Sequence, residues 1–196
     1  MRNHPIRVAF ALFVGVAVTA AGACGSSPTA PSGAAGTLNL MITDSPYGDA
    51  KSLLVTFSEV TAHRSEGGGS NRLPFAGGAS SRTCDLKKLV GAQDVLGVGG
   101  LDAGHYTMLR LVVSSAVLYF DNAATGPACA PAITAPAGRS ATVEIPSGEV
   151  KLNREFEMTS TAATTIVVDF DGEKSVHETG NGRFQMTPVI SIVSVR

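Results

Sequence analysis

Apolar and polar residues alternate with a period of two in one short segment after another. The strongest case is residues 101–113, Leu101-Asp-Ala-Gly-His-Tyr-Thr-Met-Leu-Arg-Leu-Val-Val113. Thr107, Leu109, Leu111 and Val113 point one way, and Tyr106, Met108, Arg110 and Val112 the other. Both faces are mostly apolar, which predicts a central strand flanked on both sides and covered above and below. Residues 37–43 alternate with Leu38, Leu40 and Ile42 inward, and residues 52–63 with Leu53, Val55 and Phe57 on one side. These two read as adjacent strands across the turn-rich loop 44–49.

Ser114-Ser115 interrupts the central run, so 116–120 reads as a separate strand after a bend or tight turn. Further strands are predicted over 141–145, 150–158, 164–171 and 183–195. Asp171-Gly172 is a favoured hairpin turn pair, and Pro188 implies a bulge or an edge position. The Gly-rich residues 95–100 lead into the central strand, and 85–90 form one helical turn or an edge strand. Residues 64–82 and 121–139 read as two long loops, the first anchored by Leu73 and Phe75 and the second carrying Cys129 near its centre. About eight or nine short strands with frequent turns and no helix of note predict an all-β fold, an antiparallel sandwich. The predicted core includes Leu40, Val55, Phe57, Leu109, Leu111, Val113, Ile166, Val168, Phe170 and Ile190.

Composition agrees. The 196 residues suit one domain, and with 44% hydrophobic residues and no Trp the core falls to Val, Leu, Ile and Phe. Gly and Pro together number 22 + 10 = 32, which favours strands joined by loops over a helical bundle. Net charge is −1 and Lys and Arg are not clustered, so nucleic acid is not an expected partner.

The first 23 residues read as an address. Arg2 and Arg7 precede an apolar run of 11 residues, 8–18, too short to span a bilayer comfortably, and small residues 19–23 follow. Ala21-Gly22-Ala23 satisfies ordinary signal peptidase. With Cys24 it also resembles a bacterial lipobox, although Ala21 stands where that motif usually has Leu. The cysteine at the first mature position and the Gly/Ser/Pro-rich tether over 24–36 favour lipidation of Cys24; plain secretion is the alternative. The tether of about 12 residues reaches on the order of 20 Å as a flexible coil. Residues 37–196 form the single folded domain. Removing 1–23 takes two Arg and no acid, leaving 13 − 16 = −3.

Cys24 aside, Cys84 and Cys129 are an even pair in an oxidising compartment, without a CxxC or clustered His that would suggest zinc. A disulfide between them is the first reading and two buried thiols the second. Closing this loop of about 46 residues stabilises by about 4 kcal/mol in chain-entropy terms.

Catalytic chemistry is hard to find. The chain has no GxSxG elbow, P-loop or HExxH, and His63, His105 and His177 are scattered. No catalytic residue is assigned. Arg110 is unusual in its apolar strand and needs a partner, read as a structural ion pair to an acid such as Asp169 or Glu144, or else a ligand anion. Asp169 and Asp171, about 6.7 Å apart along one strand face, read as turn and surface residues. The sharper reading is a weak calcium site completed by Asp44 or Asp49. No other cofactor is expected.

Several segments resemble an uncharacterised bacterial envelope family, domain of unknown function 4382. They are Gly36-Thr-Leu-Asn-Leu-Met-Ile-Thr-Asp-Ser-Pro46, Val55-Thr-Phe-Ser-Glu-Val60, residues 101–111, Ile145-Pro-Ser-Gly148, Val168-Asp-Phe-Asp-Gly-Glu-Lys-Ser175 and Met186-Thr-Pro-Val189. Ala103-Gly-His-Tyr-Thr107 is also similar to turns in transthyretin-like and carboxypeptidase regulatory-type sandwiches, which implies a Greek-key, immunoglobulin/transthyretin-like arrangement and no activity. The expectation is a cell-envelope lipoprotein held to a bacterial membrane by its lipid. Its sandwich is a non-enzymatic module that binds an envelope protein or glycan, or simply braces. The alternative is a secreted or periplasmic hydrolase or carbohydrate-active enzyme with dispersed catalytic residues.

Overall fold

The alternating segments form strands. The structure, a computed structural model, describes residues 34–45, 48, 50–65 and 69–196. The signal segment 1–23, Cys24, most of the tether and Asp49 lie outside the described residues. In chain order the strands are β1 (Ala35–Ser45), β2 (Ser52–Arg64), β3 (Ser70–Arg72), β4 (Arg82–Asp85), β5 (Asp94–Asp102), β6 (Gly104–Tyr119) and β7 (Cys129–Ala130). There follow β8 (Ser140–Glu144), β9 (Glu149–Met158), β10 (Ala163–Asp171), β11 (Val176–Gly180), β12 (Arg183–Met186) and β13 (Ile190–Val195). A single helical turn, α1 (Gly172–Ser175), lies between β10 and β11. Residues 86–89 make a 3-10 turn, the helical-turn option for that stretch.

Two sheets pack into an all-β sandwich. One runs β13-β10-β1-β5; the other runs β11-β12-β8-β6-β2-β4-β7, with β3 beside β2 and β9 beside β6. β6 is flanked on both sides as expected, with β2 along one edge and β9 then β8 sharing the other. It is not covered above and below: Met108, Arg110 and Val112 on its second face are only half-buried, because the sandwich has two layers. Phe57 from β2 meets Phe170 from β10 edge to face across the interface, ring centroids 6.3 Å apart. All ten residues expected in the core are buried.

Pairing and boundaries depart from the expectation in several places. β1 and β2 are not neighbours; they belong to different sheets. Two pairs, β1–β10 and β12–β8, run parallel, so the sheets are mixed where uniform antiparallel pairing was predicted. Both parallel pairs join segments far apart in sequence, which local alternation does not register.

Ser114-Ser115 does not end a strand. β6 runs on through it, and a register shift opposite Thr56 and Phe57 absorbs the extra residue as a bulge. A second irregularity, between Tyr106 and Met108, turns Tyr106 to the core side with Leu109, where it stacks on Phe156 at 5.2 Å. Residues 94–102 are a strand because their glycines admit a neighbour. A Cβ at Gly99 would sit 2.6 Å from the Pro74 ring, and Leu73 and Phe75 are buried against this stretch. Residues 183–195 divide at Pro188 into β12 and β13, one in each sheet.

Asp171-Gly172 is not a hairpin. The Asp171 carboxylate caps α1, accepting from the Lys174 backbone N–H (2.9 Å) and ammonium (2.6 Å).

Candidate binding groove

The insertion 121–139 is held along its length. At its base the Phe120 N–H donates to Arg139 O (3.0 Å), the Arg139 N–H to Asp121 Oδ2 (2.6 Å) and Asn122 Nδ2 to Ala137 O (2.8 Å). In its middle Cys129 is bonded to Cys84, its register partner on β4. The Cys129 N–H also donates to Asp94 Oδ2 (2.9 Å). Deeper still, the Ala124 N–H donates to Ser52 Oγ (2.7 Å), which donates to Asp85 Oδ2 (2.8 Å); Asp85 is fully buried and so needs such partners.

This anchoring fixes where the chain re-emerges. Arg139 leaves the insertion with its guanidinium 4.9 Å over the Phe120 ring, and Asp121 lies 4.0 Å from its Nε. Ser140 then begins β8, and the parallel β8–β12 pair sets Phe184 opposite Val143. Phe184 lies 5.7 Å from Phe120, centroid to centroid. In the β11–β12 hairpin Glu178 stands opposite Phe184, so both side chains share one face. The tip, with Gly180, Asn181 and Gly182 at positive φ, folds the Gly182 N–H back onto Glu178 Oε1 (3.3 Å). The result is a groove of about 310 Å³ between Phe120, Arg139, Ala141, Glu178 and Phe184. Its floor is aromatic, with one cation and one carboxylate on its walls.

Two other surface clefts are of similar size. One, about 270 Å³, lies between β9 and β13; the other, about 340 Å³, lies along residues 72–80. None of the three is lined by two carboxylates or by a histidine. His105 pairs with Glu157 (2.5 Å) and approaches Glu155 (3.9 Å) on the surface, and His63 contacts Thr61 (3.3 Å).

The residues singled out from sequence fall as follows. Arg110 is ion-paired, but to Glu59 on β2 and, at 2.8 Å, to Glu149 on β9, not to Asp169 or Glu144. β2 and β9 flank β6 there, whereas Asp169 belongs to the other sheet. Hydrogen bonding from Arg110 holds the Glu149 carboxyl below its usual range, with Lys151 adding to it.

Of the carboxylates of the expected calcium cage, Asp44 is not gathered with Asp169 and Asp171, and Asp49 lies outside the described residues. Asp44 continues the buried row Leu38, Leu40, Ile42 on the core face of β1, beside Phe170. Asp169 and Asp171 alternate to the opposite face with Thr43 and Ser45, where Ser45 Oγ donates to Asp169 Oδ2 (3.2 Å). Among the described residues no three His, Cys, Asp or Glu side chains group as a metal site. Asp44 Oδ1 accepts from the Gly172 N–H (3.2 Å), while Oδ2 is buried without a partner. Burial, with smaller repulsion from Asp169 and Asp171, pushes its pKa up to about 8 against the opposing pull of Gly172 N–H and Lys87.

Sequence reasoning named none of Phe120, Arg139, Glu178 or Phe184 as site residues. Phe120 and Arg139 flank strand ends while Glu178 and Phe184 lie within the β11–β12 hairpin, and no motif spacing marks any of them.

A family model described as Domain of unknown function (DUF4382) matches residues 35–188. No curated protein matches, and no solved structure matches.

Proposed function

The chain belongs to the family described as Domain of unknown function (DUF4382), and from that premise, which carries no activity, we propose a cell-envelope lipoprotein whose sandwich is a non-catalytic binding module. Its ligand site is the Phe120–Phe184 groove and its ligand a saccharide unit of an envelope glycan. The observation that carries this reading is the groove itself: an aromatic floor between Arg139 and Glu178. Aromatic faces pack against the C–H faces of sugar rings, while the guanidinium and the carboxylate that line the groove supply donors and acceptors for hydroxyls. One positive and one negative wall suit a neutral, hydroxyl-rich ligand better than a strongly charged one.

The address rests on the signal layout of 1–23, on Cys24 and on the Cys84–Cys129 bond, a pairing that persists in oxidising compartments. The lipid on Cys24 anchors the module to the membrane, and the tether holds it just clear of the surface. The test is co-sedimentation of the mature chain, carrying Cys24→Ser, with insoluble envelope glycan. Wild-type groove residues should give sedimentation, and Arg139→Ala with Glu178→Ala should abolish it. Equal sedimentation of the two, or none with either, would overturn the reading.

A further inference from the structure

The cleft between β9 and β13 carries a different chemistry, independent of the saccharide reading. Among the described residues β9 bonds only to β6 and β13 only to β10, so two free strand edges face each other where the sandwich stays open. The cleft of about 270 Å³ is lined by Lys151, Asn153, Arg154 and Ser191, with Ile190 and Ile192 beneath.

Arg154 is out of place by alternation. Val150, Leu152, Phe156 and Met158 point to the core side of β9, and Arg154 falls in the same phase yet is exposed. The register explains this: Phe156 pairs with Tyr106 and Asn153 with Met108, so Arg154 and Glu155 together face the single residue Thr107. Such a bulge re-aims a side chain. Here it sends the guanidinium out through the open seam. Other prominent arginines in this sandwich have partners, Arg110 with Glu59 and Glu149, Arg82 with Asp94 and Arg64 with Asp102. The Arg154 side chain has no hydrogen bond or ion pair to any described residue. Lys151, beside it, is only partly neutralised by Glu149 at 3.2 Å, since Glu149 is shared with Arg110.

We propose that this cleft is an anion site for a phosphate group, with Arg154 as the principal ligand-binding residue and Lys151, Asn153 and Ser191 as further donors. A phosphomonoester offers three terminal acceptor oxygens to this set of donors and a phosphodiester two, and a planar guanidinium matches two of them at once in either. A cationic cleft on a chain of net negative charge also concentrates anions locally. The phosphate comes either from a soluble phosphoester or from a lipid headgroup.

The experiment is amide chemical-shift titration of the mature chain carrying Cys24→Ser. The probes are sn-glycerol 3-phosphate and vesicles of phosphatidylglycerol, with phosphatidylcholine vesicles and glycerol as blanks. Shifts at Asn153, Arg154 and Ser191 are expected for at least one phosphate probe beyond its blank, with a dissociation constant of roughly 1–10 mM for the soluble one. Response to the soluble ester alone assigns a soluble ligand; response to vesicles alone assigns a headgroup. Arg154→Gln should weaken binding by about tenfold or more. Arg139→Ala, in the aromatic groove, should leave it unchanged, which separates this site from the saccharide reading. No shifts with either phosphate probe, or unaltered binding in Arg154→Gln with an unchanged melting temperature, would overturn the proposal.

Discussion

The Arg139 guanidinium lies 4.9 Å over the ring of Phe120, although 18 residues separate them. The insertion between them closes at its base and is pinned at its middle, so the aromatic groove inherits its geometry from the Cys84–Cys129 bond.

Reducing that bond is therefore expected to act on stability and groove together. Loss of a cross-link spanning 45 positions costs about 4 kcal/mol in chain-entropy terms, or roughly 10 °C in Tm. Calorimetry with and without reductant checks this. An unchanged Tm with both thiols shown to be free would contradict it.

Asp44 should make the domain lose stability as pH rises. Its folded pKa of about 8 lies above its ordinary value of 3.8, so between these the folded state binds more protons than the unfolded state. Its contribution is fully present below about pH 4, falls by several kcal/mol at most as pH approaches about 8, and is flat above that. Asp44→Asn keeps the acceptor for the Gly172 N–H and removes the charge. Denaturant melts at several pH values should show a shallower decline and a more stable protein above about pH 8. Parallel pH curves for both proteins would contradict the account.

Much of this was legible locally and much was not. Period-two alternation places Leu38, Leu40 and Ile42, and the same period carries Asp44 to the core face, away from Asp169 and Asp171. Those three acids look like one cluster only when the two strands are not yet paired in parallel. β5 is hidden because Gly97 and Gly99 have no side chains to alternate; they are small because residues 73–75 press against them. Tyr106 and Arg154 both change face at irregularities in the β6–β9 pair, which a strict period cannot foresee. The groove residues Phe120, Arg139, Glu178 and Phe184 meet only through the closed insertion and the β8–β12 pair.

Gly148, in the Ile145-Pro-Ser-Gly148 segment, should not tolerate a side chain. Its carbonyl accepts from the Val113 N–H at 2.8 Å, and a Cβ would sit 1.9 Å from Val113 O. Gly148→Ala must displace β6 or the β8–β9 corner, at a cost of about 2 kcal/mol. Chemical denaturation would register this as a lower midpoint at unchanged slope. Wild-type stability would show that the corner yields freely.

Lipidation of Cys24 predicts that a fatty-acid analogue labels the protein in cells and that Cys24→Ala abolishes the label and frees the protein from the membrane fraction. Absence of label in both, with soluble protein in each, would exclude the anchor.

The binding claim itself is tested most directly by mapping amide shifts on the mature chain, with Cys24→Ser, while soluble fragments of envelope glycan are titrated in. Saturable shifts are expected at Arg139, Ala141, Glu178 and Phe184, lost in Arg139→Ala at unchanged Tm. No shifts, or shifts confined to residues away from these four, would contradict it.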